Sequence, residues 1–167
     1  MEWLQRVVDD HELEKEAVLE VGSLIVNGSP RPLFAGEYVG VDMRDGPGVD
    51  KVADAERLPW SDDLWPVVVC AEMLEHALRP WRIVAEMARV CRPDGFVLAS
   101  ARGFDSWGCW RHHGFPDDHY RWSAESFRVL FTDAGLQVFS IDADPMGPGW
   151  LVVARKPTRD VYRSAAP

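Results

Sequence analysis

The strongest constraint in this chain is a repeated pattern. Short apolar runs end in an acid, a glycine or another small residue, and helical periodicity or turn residues separate them. Ala17-Val18-Leu19-Glu20-Val21-Gly22 is the first run and Glu37-Tyr38-Val39-Gly40-Val41-Asp42 the second. Val49 to Ala53 is a brief third, and Leu64-Trp65-Pro66-Val67-Val68-Val69-Cys70 a fourth. Near-continuous apolarity over so few residues is how a strand buried on both faces reads. Phe96 to Ala101 is a fifth strand. Leu136 to Ala143 and Trp150 to Ala154 are two more, joined by Asp144-Pro145-Met146-Gly147-Pro148-Gly149, a loop of hairpin length.

Three amphipathic stretches separate or flank these strands. Leu4, Val7, Val8 and Leu13 fall near helical spacing and predict a helix over residues 3–17. Trp81, Ile83, Val84, Met87 and Val90 predict one over 79–90, stopped by Arg92-Pro93-Asp94-Gly95. Ser123 as N-cap, Glu125 in the first turn and Gly135 beyond the end predict a third over 123–134. Between the first two strands only a short helix near Arg31 to Ala35 fits. Strands alternating with helices imply an α/β fold with a mostly parallel sheet, whose ligands sit at the carboxyl ends of the strands.

Composition narrows the function classes. The chain has 167 residues, so one domain is expected, over residues 1–157, with 158–167 as a loose tail. Lys and Arg number 18 against 27 Asp and Glu, a net charge of −9, which weighs against a phosphate backbone as partner. Three cysteines are too few for a disulfide scaffold. Cys70 and Cys91 read as core residues. No run suits a bilayer span and the N-terminus lacks a signal-peptide pattern, so a cytoplasmic protein with no membrane partner is expected.

The strand ends carry Glu20 and Gly22, Asp42, Asp54, then Glu72 to His76, then Arg102 onward. An acid closing the second strand, 20 residues after Gly22, is where nucleotide-binding sheets hydrogen-bond a ribose diol. The phosphate-binding pattern G-x-G-x-x-G is absent, since Gly22 is followed by Ser23-Leu24-Ile25-Val26-Asn27-Gly28. A cofactor with a ribose and no phosphate is the more natural guest.

Five segments in order resemble the class I S-adenosylmethionine-dependent methyltransferases, of the small-molecule type known as methyltransferase type 11 domains. They are Val18 to Gly22, Tyr38 to Asp42, Asp54-Ala55-Glu56-Arg57-Leu58-Pro59-Trp60, Val67 to His76 and Glu86 to Phe96. The resemblance spans residues 17–155. It implies a Rossmann-like, mostly parallel seven-stranded sheet with a C-terminal antiparallel hairpin. Helices would lie on both faces and be reduced after strands 1 and 2. It also implies S-adenosylmethionine as cofactor and methyl transfer to a small-molecule acceptor. Glu20 and Gly22 would form the cofactor loop, and Asp42 would accept from the ribose. Met43 would pack on the adenine, Asp54 and Ala55 would line its edge, and Glu72 would lie near the sulfonium. His76 would face the acceptor as general base. The family's second and third loop glycines are Leu24 and Val26 here.

Residues 102–122 form a long segment rich in Trp, His and Gly that should hang over the cleft as a binding loop. It resembles a segment of methyltransferases near glycan-biosynthesis genes, which implies a sugar or glycan hydroxyl as acceptor. Trp107, Trp110, His113, Tyr120 and Arg121 are the candidate acceptor contacts, with His113 a second candidate base. His112, His113, Asp117, Asp118 and His119 match no standard zinc spacing, and no metal is expected.

Each of these residues has a plainer reading. Asp42 would be a turn acid, Asp54 a helix cap and Glu72 and Glu75 solvated turn acids. His76 would be a structural histidine, and the long segment a cover that pins the helix after it. Two functional alternatives also stand beside methyl transfer. One is a methyltransferase-like binding or scaffold module with a degenerate cofactor loop. The other is a nicotinamide-dependent oxidoreductase, disfavoured by the missing glycines and the terminal hairpin.

Overall fold

The computed structural model describes residues 2–104, 118–145 and 147–158. The strands are β1 Val18–Val21, β2 Tyr38–Asp42, β3 Lys51–Val52, β4 Trp65–Ala71, β5 Cys91–Arg102, β6 Gln137–Ala143 and β7 Gly149–Arg155. The helices are α1 Glu2–Asp10, α2 Pro80–Val90 and α3 Ala124–Asp133, with short 3-10 turns at Arg31–Leu33 and Leu74–His76. The seven strands form one sheet in the order β3-β2-β1-β4-β5-β7-β6. β1 to β5 pair in parallel, and β7 enters antiparallel between β5 and β6. The Rossmann-like expectation, with its terminal hairpin and its missing full helices after β1 and β2, is the architecture observed.

Alternation along the strands divides the interior in two. Leu19, Val21, Val41, Val68, Cys70, Val97 and Ala99 face α2 and α3, and meet Val84, Met87, Phe127 and Phe131 there. Val18, Val67, Val69, Phe96 and Leu98 face the other way, against Leu4, Val7 and Val8 of α1 and Phe34. β1 is buried along its whole length, which explains its almost uninterrupted apolar sequence. α2 opens on Pro80, whose missing N–H is no loss in a first turn. α3 opens on a reciprocal cap: the Ser126 N–H donates to Ser123 Oγ, and the Ser123 N–H donates to Ser126 Oγ.

Two boundaries differ from the sequence reading. The first helix ends at Asp10 instead of reaching residue 17. Glu12 takes a left-handed φ of 54°, and the chain folds back so that Leu13 donates its N–H to the Val8 carbonyl and buries its side chain. β5 starts at Cys91 rather than Phe96. Trp65 pairs with Cys91 and Val67 with Phe96, so residues 92–95 bulge out of the ladder, with Asp94 at φ 65°. The expected tail, apart from Thr158, lies outside the described residues. Among the described residues no helix is long and apolar enough to cross a membrane.

Candidate functional site

The sheet order sets the site. β2, β1, β4 and β5 are neighbours, so Asp42, Gly22, Glu72 and Arg102 line up along one carboxyl-terminal edge. Gly22 leaves β1 at φ 82°, and a Cβ there would come within 2.6 Å of Met73 Cγ. Glycine therefore serves twice, for its backbone angle and for the close approach of the Met73 side chain.

The loop that follows takes an unusual path. It turns towards β2, not into a helix. The N–H groups of Gly22 and Ser23 both donate to the Val41 carbonyl, and Ile25 donates to the Pro47 carbonyl. Gly40, Gly46 and Gly48 make room for this: a Cβ would stand 2.2 Å from the Gly48 carbonyl oxygen at Gly40, 2.5 Å from Leu24 Cδ1 at Gly46 and 2.5 Å from the Ser23 carbonyl oxygen at Gly48. The glycines that this loop lacks thus have counterparts in the β2–β3 turn beneath it.

Asp42 sits where the loop and the turn meet. The Leu24 N–H donates to its Oδ2 at 3.4 Å and the Arg44 N–H to its Oδ1 at 3.0 Å. Met43 beside it is 74 % exposed. Asp54 is exposed beyond β3, and its Oδ1 accepts from the Glu56 N–H at 2.8 Å, which closes a turn. Ala55 packs partly against the core.

Glu20 is not at the rim with these groups. Its side chain is buried and its Oε2 accepts from the Tyr38 hydroxyl at 2.9 Å. Burial raises its pKa to about 7, against the pull of the Tyr38 hydrogen bond and of Arg31. Arg31 stacks 4.7 Å from the Tyr38 ring centre and pairs with Asp50. Asp50 in turn accepts from the Gly40 N–H at 2.7 Å, and that bond and Arg31 hold its carboxyl below the usual range. Glu20 therefore ties β1 to β2 from within.

On the far side of Gly22, Glu72 takes a φ of 51°, strained for a residue with a Cβ. Its N–H donates to the Ser100 carbonyl and its carboxylate lies 3.0 Å from Arg102 Nε. His76 is half-buried, with its N–H on the Met73 carbonyl. Tyr120 stacks on Trp122 with ring centres 5.5 Å apart and donates its hydroxyl to the Leu78 carbonyl at 3.2 Å. Arg121, a candidate acceptor contact, pairs instead with Asp118; both side chains are almost wholly buried. Trp107, Trp110 and His113 lie outside the described residues. The sequence reading did not single out Met73, Tyr38 or the Glu72–Arg102 pair, because their partners are remote in sequence. A cleft of about 250 Å³ lined by Ala17, Glu37, Val39, Trp60, Leu64 and Trp65 opens at the amino-terminal ends of the strands, away from this edge.

Residues 27–99 match the model of a methyltransferase domain family. An uncharacterized methyltransferase of Mycobacterium marinum is 34 % identical over 84 residues, or 50 % of this chain and 32 % of that protein. One of Mycobacterium tuberculosis is 32 % identical over 80 residues, or 48 % of this chain and 30 % of that protein. The match thus spans about a third of the length of these curated relatives. Among solved structures, a Burkholderia thailandensis 1,6-didemethyltoxoflavin-N1-methyltransferase with bound 1,6-didemethyltoxoflavin and S-adenosylhomocysteine aligns with a TM-score of 0.73 at 16 % identity, over 92 % of this chain and 76 % of that one. A Haloferax volcanii protein solved with a methyltransferase activator aligns with a TM-score of 0.67 at 20 % identity, over 92 % of this chain and 94 % of that one. At those identities the structures speak for the fold. With the domain match and the relatives, they make the chain similar to the class I S-adenosylmethionine-dependent methyltransferases.

Proposed function

We propose that the protein transfers a methyl group from S-adenosylmethionine to a small-molecule acceptor, with a sugar or glycan hydroxyl as the first class to test. The observation that carries the reading is the arrangement of Asp42. Each carboxylate oxygen takes one backbone N–H, and each keeps an acceptor position for one hydroxyl of a ribose. Met43 beside it offers an exposed apolar surface to a base, and Asp54 keeps Oδ2 free of the turn bond made by Oδ1. Gly22 and Glu72 would border the methionine end.

When bound, the cofactor supplies a methyl group on a cationic sulfonium. The chain's own contribution is alignment and potential. Asp42, Asp54 and Glu72 favour a cationic guest over a neutral one, so they aid binding more than the chemical step. Tyr120 and Trp122 offer a stacked aromatic surface for a sugar face or flat ring. For a hydroxyl acceptor, His76 would take the proton as the oxygen attacks, with His113 as the other candidate base. Orientation of acceptor against donor then carries most of the rate. We expect neither nucleic acid nor membrane as partner.

Calorimetric titration with S-adenosylmethionine tests the reading, beside an Asp42→Ala variant. Micromolar binding by the wild type that weakens at least about tenfold in the variant supports it. Absence of binding by a folded wild-type sample would favour the second reading, a methyltransferase-like module. That reading rests on Leu24, whose N–H already engages the Asp42 carboxylate.

A further inference from the structure

Parallel neighbours such as β1 and β2 are usually joined through an α-helix. Here the crossover holds only the three-residue turn Arg31–Leu33, so no helix packing fixes the loop before it. Apolar burial does not fix that loop either, since Ile25 and Val26 are 41 % and 54 % exposed. Polar contacts to the β2–β3 turn hold it, and they come at three points. Near the start, the Gly22 and Ser23 N–H groups donate to the Val41 carbonyl. Midway, the Ile25 N–H donates to the Pro47 carbonyl at 2.9 Å. Just past the end, Arg31 Nη2 donates to the Gly48 carbonyl at 3.3 Å and pairs with the Asp50 carboxylate.

That third point reaches furthest. Asp50 also accepts from the Gly40 N–H at 2.7 Å, and the Arg31 guanidinium lies over the Tyr38 ring. One side chain therefore ties the end of the loop to the turn and to β2. Leu24, whose N–H reaches Oδ2 of Asp42, sits between the first two points. The Asp42 carboxylate is thus held by a loop whose far end depends on Arg31.

We propose that Arg31 is a positioning residue that, with Asp50, clamps the loop after β1 onto the β2–β3 turn and so fixes the Asp42 carboxylate for a ribose. The ribose, and only that, rests on the methyltransferase reading. In this role Arg31 acts through Gly48 and Asp50 and not on the ligand. A lysine would supply the charge without the flat face that covers Tyr38.

Hydrogen exchange at the Ile25 amide and calorimetric titration test this together in the full chain, at a temperature where each variant is folded. The titrants are S-adenosylmethionine and adenosine, which carries the ribose without the methionine. Arg31→Ala should speed Ile25 exchange and weaken both titrants by about fivefold or more. Asp50→Asn keeps an oxygen for the Gly40 N–H but loses the ion pair, and it should do the same. Arg31→Lys should fall between the wild type and Arg31→Ala. The double variant of Arg31→Ala with Asp50→Asn should bind no more weakly than the worse single one, because the two residues act as a unit. Should Arg31→Ala fail to fold, Asp50→Asn and Arg31→Lys decide. An Ile25 amide that exchanges freely in the wild type, or equally in the variants, overturns the clamp. Faster exchange with unchanged affinities overturns the positioning role. Absence of binding by the folded wild type, with exchange still faster in the variants, overturns the methyltransferase reading and supports the clamp.

Discussion

The Tyr38 hydroxyl donates to Oε2 of Glu20 at 2.9 Å, joining β1 to β2 on the face where Phe34 and α1 pack. Few other acids in the described chain lie so deep. The folded carboxyl titrates near 7, whereas an unfolded one does so near 4.5. Between those values the folded state holds a proton that the unfolded state has released. Its contribution to stability is therefore greatest at the acid end, declines as pH rises towards 7, and is flat above. The shift corresponds to at most about 3 kcal/mol. Denaturant unfolding from pH 4.5 to 8 should show Glu20→Gln with a shallower pH slope than the wild type; parallel curves would count against this placement.

Gly40 allows the loop after β1 and the β2–β3 turn to cross. A Cβ there would meet the Gly48 carbonyl oxygen at 2.2 Å and Ser23 Oγ at 2.6 Å, and the first of these is backbone. Gly40→Ala should cost about 2 kcal/mol or more. It should also weaken S-adenosylmethionine binding, since Asp50 and Asp42 flank the crossing. Unfolding midpoints and titration together check this. An affinity drop without loss of stability would mean that the loop moves without the turn.

The Asp118–Arg121 pair is buried, so removing one partner leaves a buried charge without that ion pair. Asp118→Ala should destabilise by about 3–5 kcal/mol. Replacing both, Asp118→Leu with Arg121→Met, should cost clearly less. A double-mutant cycle in urea provides the comparison, and equal losses would show that the ions contribute mainly through other neighbours.

Phe127 and Phe131 meet edge to face at 5.2 Å and are fully buried beneath the sheet. Phe127→Ala should cost about 3–5 kcal/mol. Ser123→Ala, which removes only the cap of the same helix, should cost about 1 kcal/mol. Thermal or urea unfolding of the two variants would expose a reversed ranking.

Much of the fold was legible because β1 and β4 are buried on both faces and leave almost pure apolar runs. Ser123 and Gly135 marked α3 by cap chemistry that acts locally. The misread ends have a different origin. Residues 11–17 contain good helix formers, and only the tertiary burial of Leu13 turns the chain back. Arg92 to Gly95 does stop α2, but the same turn residues also make a bulge, and sequence does not separate the two uses. Glu20 looked like a rim acid because its partner, Tyr38, lies 18 residues on. Arg121 looked like an acceptor contact because it lies in the aromatic segment. Its neighbour Asp118, three residues earlier, carried the contrary signal. The acids at the rim were legible from position, since strand ends follow directly from the strands.

β7 lies inside the sheet although it is the last of the described strands. During synthesis β5 must wait with one edge open while the aromatic segment, α3 and β6 emerge. β6 has no partner strand until residues 149–155 arrive and pair with both β5 and β6. The Trp122 carbonyl accepts from Trp150 Nε1 at 2.9 Å, so β7 adds a fastening to those the aromatic segment makes with Glu75 and Leu78. A nascent chain stopped short of β7 would present a long unpaired strand edge to its neighbours, a known route to aggregation. The aromatic segment beside the proposed site thus gains its full set of contacts only when β7 has joined the sheet.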